Sequence, residues 1–561
     1  MLRAIASRLE SSLPFGIAVL CFLMAAALLS LPRNLSRSRP RTLIVLLLSC
    51  AVFVAMSVGF RKYLVDDAYI SLRYARNLAN GYGLVFSTDG KAPIEGYTNF
   101  LWVLLEAPLF LLKLPVGVTL VAVKLMGIGF GLGTIIVAYL MARLITDSIR
   151  VGLIASLLLS AVPYLSFWAV GGLETTMYVF WLMLGLYSYV VEVRQSRMHF
   201  WSMLWFTLLA LTRPEGLVLA LGILVYDLAT NAVGSDQPVL PRRLRLALPG
   251  ALLFILALGA YFIWRYNFYG FPLPNTFYAR SGTIGVHQLY SRLTQMWPFI
   301  AYLLPIGTIA CLGFLRLLEM RGREALMLTS GALALLAFGF AAKNEWMPGF
   351  RYELPSVAVL IPLCSAGLDM MLVQNAEGQR WRWAAGGARL CMLTLLGMFL
   401  LHPATKLNVN QYYTNGLNRA HVALGKWLKQ YAPRGASYAG WDMGAVPFYS
   451  ELPSIIEIYP EGILSTHTTH VGYEIAYFLS LSPSFVVLPP EPNPKRSDGM
   501  YAFYSSVEFR QTYQPLFTFA FTPSYLLAVY RRRDVAISQE GIIEGERLAE
   551  RSVSEANADI R

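Results

Sequence analysis

Long apolar runs without a single charge recur along this chain, and they limit its fold more than any other feature. The runs 14 to 31 (PFGIAVLCFLMAAALLSL) and 42 to 60 (TLIVLLLSCAVFVAMSVGF) are two examples. At about 1.5 Å per residue, a helix of this length crosses roughly 30 Å of hydrocarbon. The chain is 56% hydrophobic and only 14% charged, which is unusual for a soluble domain. The sequence therefore predicts a mainly α, polytopic transmembrane helical bundle.

The same criterion predicts about twelve spans. They are 14 to 31, 42 to 60, 119 to 141, 152 to 168, 176 to 193, 200 to 212, 216 to 230, 247 to 264, 296 to 318, 325 to 341, 355 to 372 and 385 to 401. The first apolar run is too long for a signal peptide, and a second span follows it closely, so we keep it as a span. The spans on either side of Pro214 are short, as in a broken or tilted helix.

Arginines in alternate connections predict the orientation. Six of the loops between spans contain them: Arg33, Arg37, Arg39 and Arg41; Arg143 and Arg150; Arg194 and Arg197; Arg242, Arg243 and Arg245; Arg321 and Arg323; Arg380 and Arg382. Short loops rich in Lys and Arg stay in the cytoplasm. The loop 61 to 118 and everything after 401 are then predicted to face outward. The net charge of +13 is thus a topology signal, and no nucleic-acid partner is predicted.

Three domains follow from the changes in composition. Residues 1–401 form the transmembrane domain, with a short interfacial or re-entrant helix at 99 to 115 inside its outer loop. Residues 402–535 form a soluble α/β domain, because helix-like and strand-like segments alternate there. Residues 536–561 are predicted to be a charged, flexible tail. The five cysteines have neither paired nor metal-like spacing, so we expect no disulfide and no zinc site.

Two adjacent carboxylates, Asp66 and Asp67, come directly after the second span. One interpretation is a helix N-cap followed by acidic first-turn residues. Two in a row, beside several cations, exceed what a cap needs. The functional interpretation is a general base at the lipid surface, which takes the proton of a sugar hydroxyl as that hydroxyl attacks a lipid-linked donor. The sequence favours Asp66 for the base, because it is nearer the end of the span.

A lipid-linked donor brings a phosphate, so cations should surround the site. The outward loops supply the donor-phosphate candidates Arg213, Arg265, Arg280, Lys343 and Arg351. A single arginine beside a span is more often an interface anchor. The sugar-binding candidates are Glu95, Tyr97, Glu174, Glu215 and Asn275. The three carboxylates among them could instead pair with the cations or be solvated, and Tyr97 could belong to an aromatic belt.

Five ordered motifs carry a family resemblance. The strings DDAYISLRYARNLANGYGLVF, EGYTNFLW, GGLETTMY, TRPEG and GFPLPNTFYAR resemble those of bacterial C-type (GT-C) membrane glycosyltransferases related to the mycobacterial terminal arabinofuranosyltransferase. The likeness covers roughly residues 60 to 460. It implies that the paired aspartates are catalytic, that the donor is polyprenyl-phosphate arabinofuranose and that transfer inverts the anomeric centre. It also implies a bacterial inner membrane and a periplasmic glycan or glycoprotein acceptor.

Two features depart from the family pattern. An extra span precedes the one that leads into Asp66. In the soluble domain, Glu457 stands in IIEIYPEGILS where an Asp before a Gly-Leu step is expected, so the resemblance assigns it no role. Relatives of this architecture use other prenyl-linked sugars as well, and the sequence does not choose among them.

Two other classes of function compete with the enzyme. A transporter or flippase of lipid-linked sugar would also be polytopic and basic, but its ionisable residues would lie near the bilayer midplane. A structural scaffold would explain the soluble domain and leave the outward polar loops unexplained. The sequence predicts no metal-ligand cluster and no certain cofactor. It leaves open a divalent cation at Asp66 or Asp67 that bridges to the donor phosphate.

Overall fold

The computed structural model describes residues 2–30, 39–232, 239–280, 286–341, 347–373, 411–459, 462–490 and 501–559. It divides into two compact units. The first unit comprises Met1–Arg61, Leu120–Ala260 and Ile284–Asn408, and the second comprises Lys62–Thr119, Tyr261–Thr283 and Val409–Arg561. The units are discontinuous in sequence, whereas the predicted domains are consecutive stretches, and those domains stay a prediction. The loop 61 to 118 packs with the C-terminal part of the chain.

The helices before residue 374 are numbered in chain order. They are α1 (Leu2–Ser30), α2 (Arg39–Gly59), α3 (Ala68–Ala79), α4 (Phe100–Leu111), α5 (Val116–Thr146), α6 (Ile149–Ser160), α7 (Pro163–Ala169), α8 (Thr175–Arg194), α9 (Phe200–Thr212), α10 (Glu215–Ala232), α11 (Val239–Tyr269), α12 (Asn275–Arg280), α13 (Val286–Ala341) and α14 (Leu354–Val373). In the first unit, α1 packs on α2, α8 on α9, and α13 on α14.

Seven of the described helices are long and apolar enough to cross a membrane, or eight if the bent pair α6 and α7 is one span. The protein is therefore a multi-pass membrane protein, while the predicted count of twelve spans stays a prediction. The predicted span 385 to 401 lies outside the described residues. Two predicted breaks are confirmed: α9 ends before Arg213, which has extended backbone angles, and α13 has a non-helical residue at Arg321.

The second unit contains the soluble sheet. Its helices after residue 410 are α15 (Ala423–Tyr431), α16 (Ala445–Ser450), α17 (Thr466–His470), α18 (Ile475–Ser480), α19 (Tyr501–Ser505), α20 (Val507–Thr512) and α21 (Gln539–Ala558), and a π-helical turn, Leu417–Val422, leads into α15. The strands are β1 (Ser437–Gly440), β2 (Ser454–Glu457), β3 (Phe485–Leu488), β4 (Tyr513–Thr522) and β5 (Tyr525–Arg532). The predicted α/β character is confirmed.

The five strands form one sheet in the order β2-β1-β3-β5-β4. β1 pairs in parallel with β2 and β3, and β5 pairs antiparallel with β3 and β4. β2 and β3 are buried along their whole length, as is usual for parallel strands covered on both faces. The turn after β1 and the start of α16 lie at the carboxyl end of the parallel strands.

The prediction of a flexible tail at 536–561 is wrong for the described residues. Gln539–Ala558 form helix α21, which packs on β4. Its buried residues are small and recur every three or four positions: Gly541, Gly545, Ala549, Ser552 and Ala556. This spacing puts them on one face of the helix. The many charges of the other faces hide that stripe from an analysis of composition.

Candidate active site

Asp66 and Asp67 precede helix α3 in the second unit, and their side chains have different surroundings. The Asp66 carboxylate is buried, and it accepts hydrogen bonds from the backbone N–H groups of Gly444 (3.1 Å) and Ala445 (2.9 Å). The Asp66 N–H donates to the hydroxyl of Tyr413 at 3.0 Å. Asp67 is half-buried, and its side chain makes no capping hydrogen bond to α3. Helix capping therefore does not account for Asp67.

His421 bridges Asp66 to a third carboxylate. Its Nδ1 lies 3.3 Å from Oδ1 of Asp66, and its Nε2 lies 3.3 Å from Oδ2 of Asp442. The hydroxyl of Tyr525 donates to the same Asp442 oxygen at 2.7 Å. His421 is only 3% exposed, and the ring of Phe521 lies against it. The result is a row of polar groups that runs Asp66, His421, Asp442, Tyr525, in which the first two side chains are buried and the last two are half-buried.

The carboxylates decide the charge of His421. Burial alone would lower its pKa, but Asp442 and Asp66 outweigh burial and raise the pKa of His421 to about 10. Burial would likewise raise the pKa of Asp442, and His421 together with the Tyr525 hydroxyl holds it below the ordinary value. At neutral pH His421 is therefore protonated, and its buried positive charge is paired with the Asp442 carboxylate.

The same residues could hold a metal ion. One ligand atom from each of Asp66, His421 and Asp442 lies within 4.8 Å of the others. Imidazole and carboxylate suit Mn²⁺ or Zn²⁺ in donor type. The sequence shows no such group because Asp66 and His421 are 355 positions apart in the chain. The divalent cation that the sequence leaves open at Asp66 stays untested.

Glu457 is a second carboxyl group near Asp67, whose charge acts on it. It is buried at the end of β2, and its Oε2 accepts a hydrogen bond from the N–H of Leu464 at 2.5 Å. Burial raises the pKa of Glu457 to about 8, and the nearby charge of Asp67 adds to that effect. Near pH 7 Glu457 is therefore mostly neutral.

Two arginines of α3 fix that helix to the segment 447 to 452. Arg73 is buried, and its guanidinium donates to the carbonyls of Phe86 (2.7 Å), Leu452 (2.6 Å) and Pro447. Arg76 donates to the carbonyl of Phe448 at 2.9 Å. Arg73 and Arg76 thus bind backbone carbonyls, and in the described structure they anchor helix α3 to the segment 447 to 452.

Several predicted ligand residues come together elsewhere in the second unit. Nε of Arg265 lies 2.7 and 2.8 Å from the two carboxylate oxygens of Glu95. Tyr97 and Tyr269 share a hydrogen bond of 3.2 Å, and the side-chain amide of Asn275 lies 3.5 Å from the Thr466 hydroxyl. Burial raises the pKa of Glu95 to about 7, although the Arg265 guanidinium acts to lower it. Among the described residues, Nη2 of Arg265 is buried without a hydrogen-bond partner.

The other predicted cations belong to the first unit. Arg213 lies 2.6 Å from Glu215 and 3.8 Å from Glu174, and its guanidinium stands over the ring of Tyr352. Arg351 donates to the Tyr352 hydroxyl at 3.1 Å. Four predicted residues, two arginines and two glutamates, thus form one group, in which Glu215 is half-buried and the other three are buried. Lys343 and the side chain of Arg280 lie outside the described residues, so their assignments stay predictions.

The sequence analysis did not single out His421 or Asp442. Asp442 lies in WDMGAVPFYS, a stretch within the family resemblance, so a signal for it was present. His421 lies in an amphipathic segment where a lone histidine usually packs in a core, and no local pattern distinguishes it. Its role follows only from contacts between distant parts of the chain.

Comparison with known proteins confirms the fold class. The sequence matches no family model and no curated protein. ArnT from Cupriavidus metallidurans bound to undecaprenyl phosphate superposes with a TM-score of 0.54 at 16% identity, over 88% of this chain and 99% of that chain. AglB from Archaeoglobus fulgidus, in complex with an inhibitory peptide and a dolichol-phosphate, superposes with a TM-score of 0.50 at 13% identity, over 92% and 77%. At these identities the likeness shows the fold, which is the predicted C-type bundle with a C-terminal α/β part.

Proposed function

We propose that this chain is an inverting glycosyltransferase that moves a sugar from a polyprenyl-phosphate donor to a glycan or glycoprotein acceptor. The observation that carries the proposal is an adjacent aspartate pair, held by the C-terminal part of the chain, within a fold shared with a protein crystallised with undecaprenyl phosphate. AglB, with its bound dolichol-phosphate, supports the same class of lipid. The five sequence motifs favour arabinofuranose as the sugar and a periplasmic site in a bacterial inner membrane.

The reaction is a single displacement at the anomeric carbon. An acceptor hydroxyl oxygen forms the new glycosidic bond from the face opposite the phosphate, and the bond between the anomeric carbon and the phosphate oxygen breaks. The electron pair leaves with the prenyl phosphate, and the hydroxyl proton passes to a carboxylate. Since the phosphate is already a good leaving group, the protein supplies chiefly a base and cations.

We assign the base to Asp67. The sequence favours Asp66, but the Asp66 oxygens already accept two backbone hydrogen bonds and face His421. Asp67 is half-buried, and the largely neutral Glu457 is in its surroundings. In this assignment Asp66 does not react; its contacts fix the backbone that positions Asp67.

Each of the two units, taken by itself, offers candidate cations for a phosphate. Nη2 of Arg265 is a buried donor with no partner among the described residues, and a phosphate oxygen would satisfy it. Glu95, Tyr97 and Asn275, from the same unit, are proposed to bind sugar hydroxyls. Arg213 and Arg351 are retained as phosphate ligands, and Glu174 and Glu215 as the carboxylates that hold Arg213 or contact the sugar.

The test is to incubate the purified protein with a cell-envelope glycan or glycoprotein acceptor and with synthetic polyprenyl-phosphate sugars, one sugar at a time, and to quantify release of prenyl phosphate. Polyprenyl-phosphate arabinofuranose is expected to be consumed, and polyprenyl-phosphate mannose to persist. Consumption of polyprenyl-phosphate mannose alone would mean that the reaction is as proposed but that the transferred sugar is mannose.

Reconstitution in sealed vesicles separates the enzyme from the transporter. A flippase would change the leaflet of an intact fluorescent donor without releasing prenyl phosphate. If every donor that is supplied changes leaflet and none releases prenyl phosphate with any acceptor, the proposed function is contradicted.

A further inference from the structure

The row Asp66, His421, Asp442 and Tyr525 links the loop after the second span to three parts of the C-terminal segment. His421 lies in the π-helical turn before α15, Asp442 follows β1, and Tyr525 begins β5. The separations along the row are 3.3, 3.3 and 2.7 Å. Every one of these groups belongs to the second unit.

Gly444 makes this approach to Asp66 possible. A Cβ on Gly444 would lie 2.3 Å from Oδ2 of Asp66 and 2.1 Å from its carbonyl oxygen. Atoms of real side chains do not approach so closely, so the glycine lets the backbone N–H groups at the start of α16 reach the carboxylate. Together with Tyr413, which accepts from the Asp66 N–H, these contacts fix both the side chain and the backbone of Asp66.

The position of Asp67 depends on that of Asp66 because one peptide bond joins them. A free loop at the end of a span would spread the Asp67 carboxylate over many orientations, and proton transfer needs the base within hydrogen-bond reach of the hydroxyl. Arg73 and Arg76 fix the other end of α3 to the same segment of the C-terminal part.

We propose that His421 is a positioning residue for glycosyl transfer, which acts through Asp66 to fix the catalytic loop on the C-terminal segment, with Asp442 and Tyr525 holding the imidazole. This inference rests on the proposed function. It also gives the C-terminal α/β part a role, which is to hold the catalytic loop in place. Phenylalanine at 421 would keep the ring and remove both polar contacts, whereas glutamine would keep a hydrogen-bonding group.

The first measurement compares kcat and KM for the donor in His421→Phe and His421→Gln. We expect His421→Phe to lower kcat on the order of ten- to a hundredfold, the range for loss of one charge-assisted hydrogen bond, while KM changes less than about twofold. His421→Gln should recover part of kcat. Asp442→Asn should have a smaller effect than His421→Phe, and Tyr525→Phe a smaller one still, because each lies one step further from Asp66.

The deciding measurement is a double-mutant cycle with Asp66→Asn. If His421 acts through Asp66, then His421→Phe costs little further activity once Asp66 is Asn, because linked residues are not additive. If the loss of kcat in the double variant equals the product of the losses in the two single variants, the proposal is overturned and His421 has only a general folding role. His467→Phe is the matched control, since His467 stacks on Tyr477 in the same unit and phenylalanine keeps the stack; its kcat should equal that of the wild type.

Metal analysis tests the alternative use of the same side chains. The wild type and His421→Phe are purified, treated with EDTA and assayed with and without added Mn²⁺. Retained wild-type activity after EDTA supports positioning by the His421 side chain without a metal. Loss of activity that Mn²⁺ restores, with about one bound ion in the wild type and none in His421→Phe, would overturn it and make His421 a metal ligand. A wild type that releases no prenyl phosphate refutes the proposed function itself and is thus distinct from either result.

Discussion

At the scale of single residues, burial separates two adjacent carboxylates, of which the sequence favours Asp66 as the base. Asp66 is buried with its oxygens engaged, and Asp67 is half-buried beside a neutralised Glu457. The Asp66 carboxylate accepts hydrogen bonds from the segment after β1, whereas Asp67 is more exposed. This difference is why we place the base at Asp67.

Glu457 gives a pH-dependent prediction. Its pKa in the folded protein is about 8, above the ordinary value of 4.5, so between these two pH values the folded form keeps a proton that the unfolded form has released. Stability therefore falls as the pH rises from about 4.5 to about 8. Glu457→Gln cannot ionise. Its melting temperature in detergent should match that of the wild type near pH 4.5 and exceed it by a few degrees at pH 8.

The control for this prediction is Glu546→Gln, because Glu546 is exposed on α21. Its melting temperature should follow that of the wild type at every pH. A constant difference between Glu457→Gln and the wild type from pH 4.5 to pH 8 would show that burial does not shift the Glu457 pKa as described.

At the scale of elements, helix α21 packs through small residues on a sheet that the sequence predicts only in part. A Cβ on Gly545 would lie 2.2 Å from the Phe517 ring, the Trp427 indole N–H donates to the Gly541 carbonyl at 2.8 Å, and the Ala520 N–H donates to the Ser552 hydroxyl at 2.8 Å. The helix therefore covers β4 at close range.

Gly545→Val tests this packing. The new side chain would meet Phe517, and overpacking of this kind typically costs about 1–3 kcal/mol. We expect earlier release of a C-terminal fragment in limited proteolysis and a lower melting temperature. Glu546→Val puts the same side chain on the exposed face and should resemble the wild type. Equal proteolysis of the two variants would mean that α21 is not held on β4.

The sequence predicted those helices, strands and breaks that depend on neighbouring residues in the chain. The helices followed from uncharged runs, β1 to β3 from short apolar segments, and the break at Arg213 from the proline after it. β4 and β5 lie in TYQPLFTFAFTPSYLLAVYRRR, which is rich in aromatic and β-branched residues, and this segment falls inside the stretch 402–535 that the sequence predicts to be α/β. His421 could not be found at all, because its partner is 355 positions away.

At the scale of the whole molecule, arginine alternation predicts the orientation, and cysteine labelling can test it. In a background without the native cysteines, Arg434→Cys and Arg197→Cys are both at exposed positions. An impermeant thiol reagent should label Arg434→Cys in intact spheroplasts and label Arg197→Cys only after permeabilisation, because short arginine-rich loops stay inside. The reverse pattern would put the aspartate pair in the cytoplasm.

The aspartate pair as chemical centre is the core of the account, and single-turnover transfer tests it most directly. Asp67→Asn keeps the shape of the side chain and removes the basic oxygen, so transfer from the prenyl-linked donor should slow by about a hundred- to ten-thousandfold, with donor binding and melting temperature retained. Asp89→Asn is the control, since Asp89 lies in the same loop and pairs with the exposed Lys91; it should react at the wild-type rate. Wild-type turnover by both Asp67→Asn and Asp66→Asn would contradict the account.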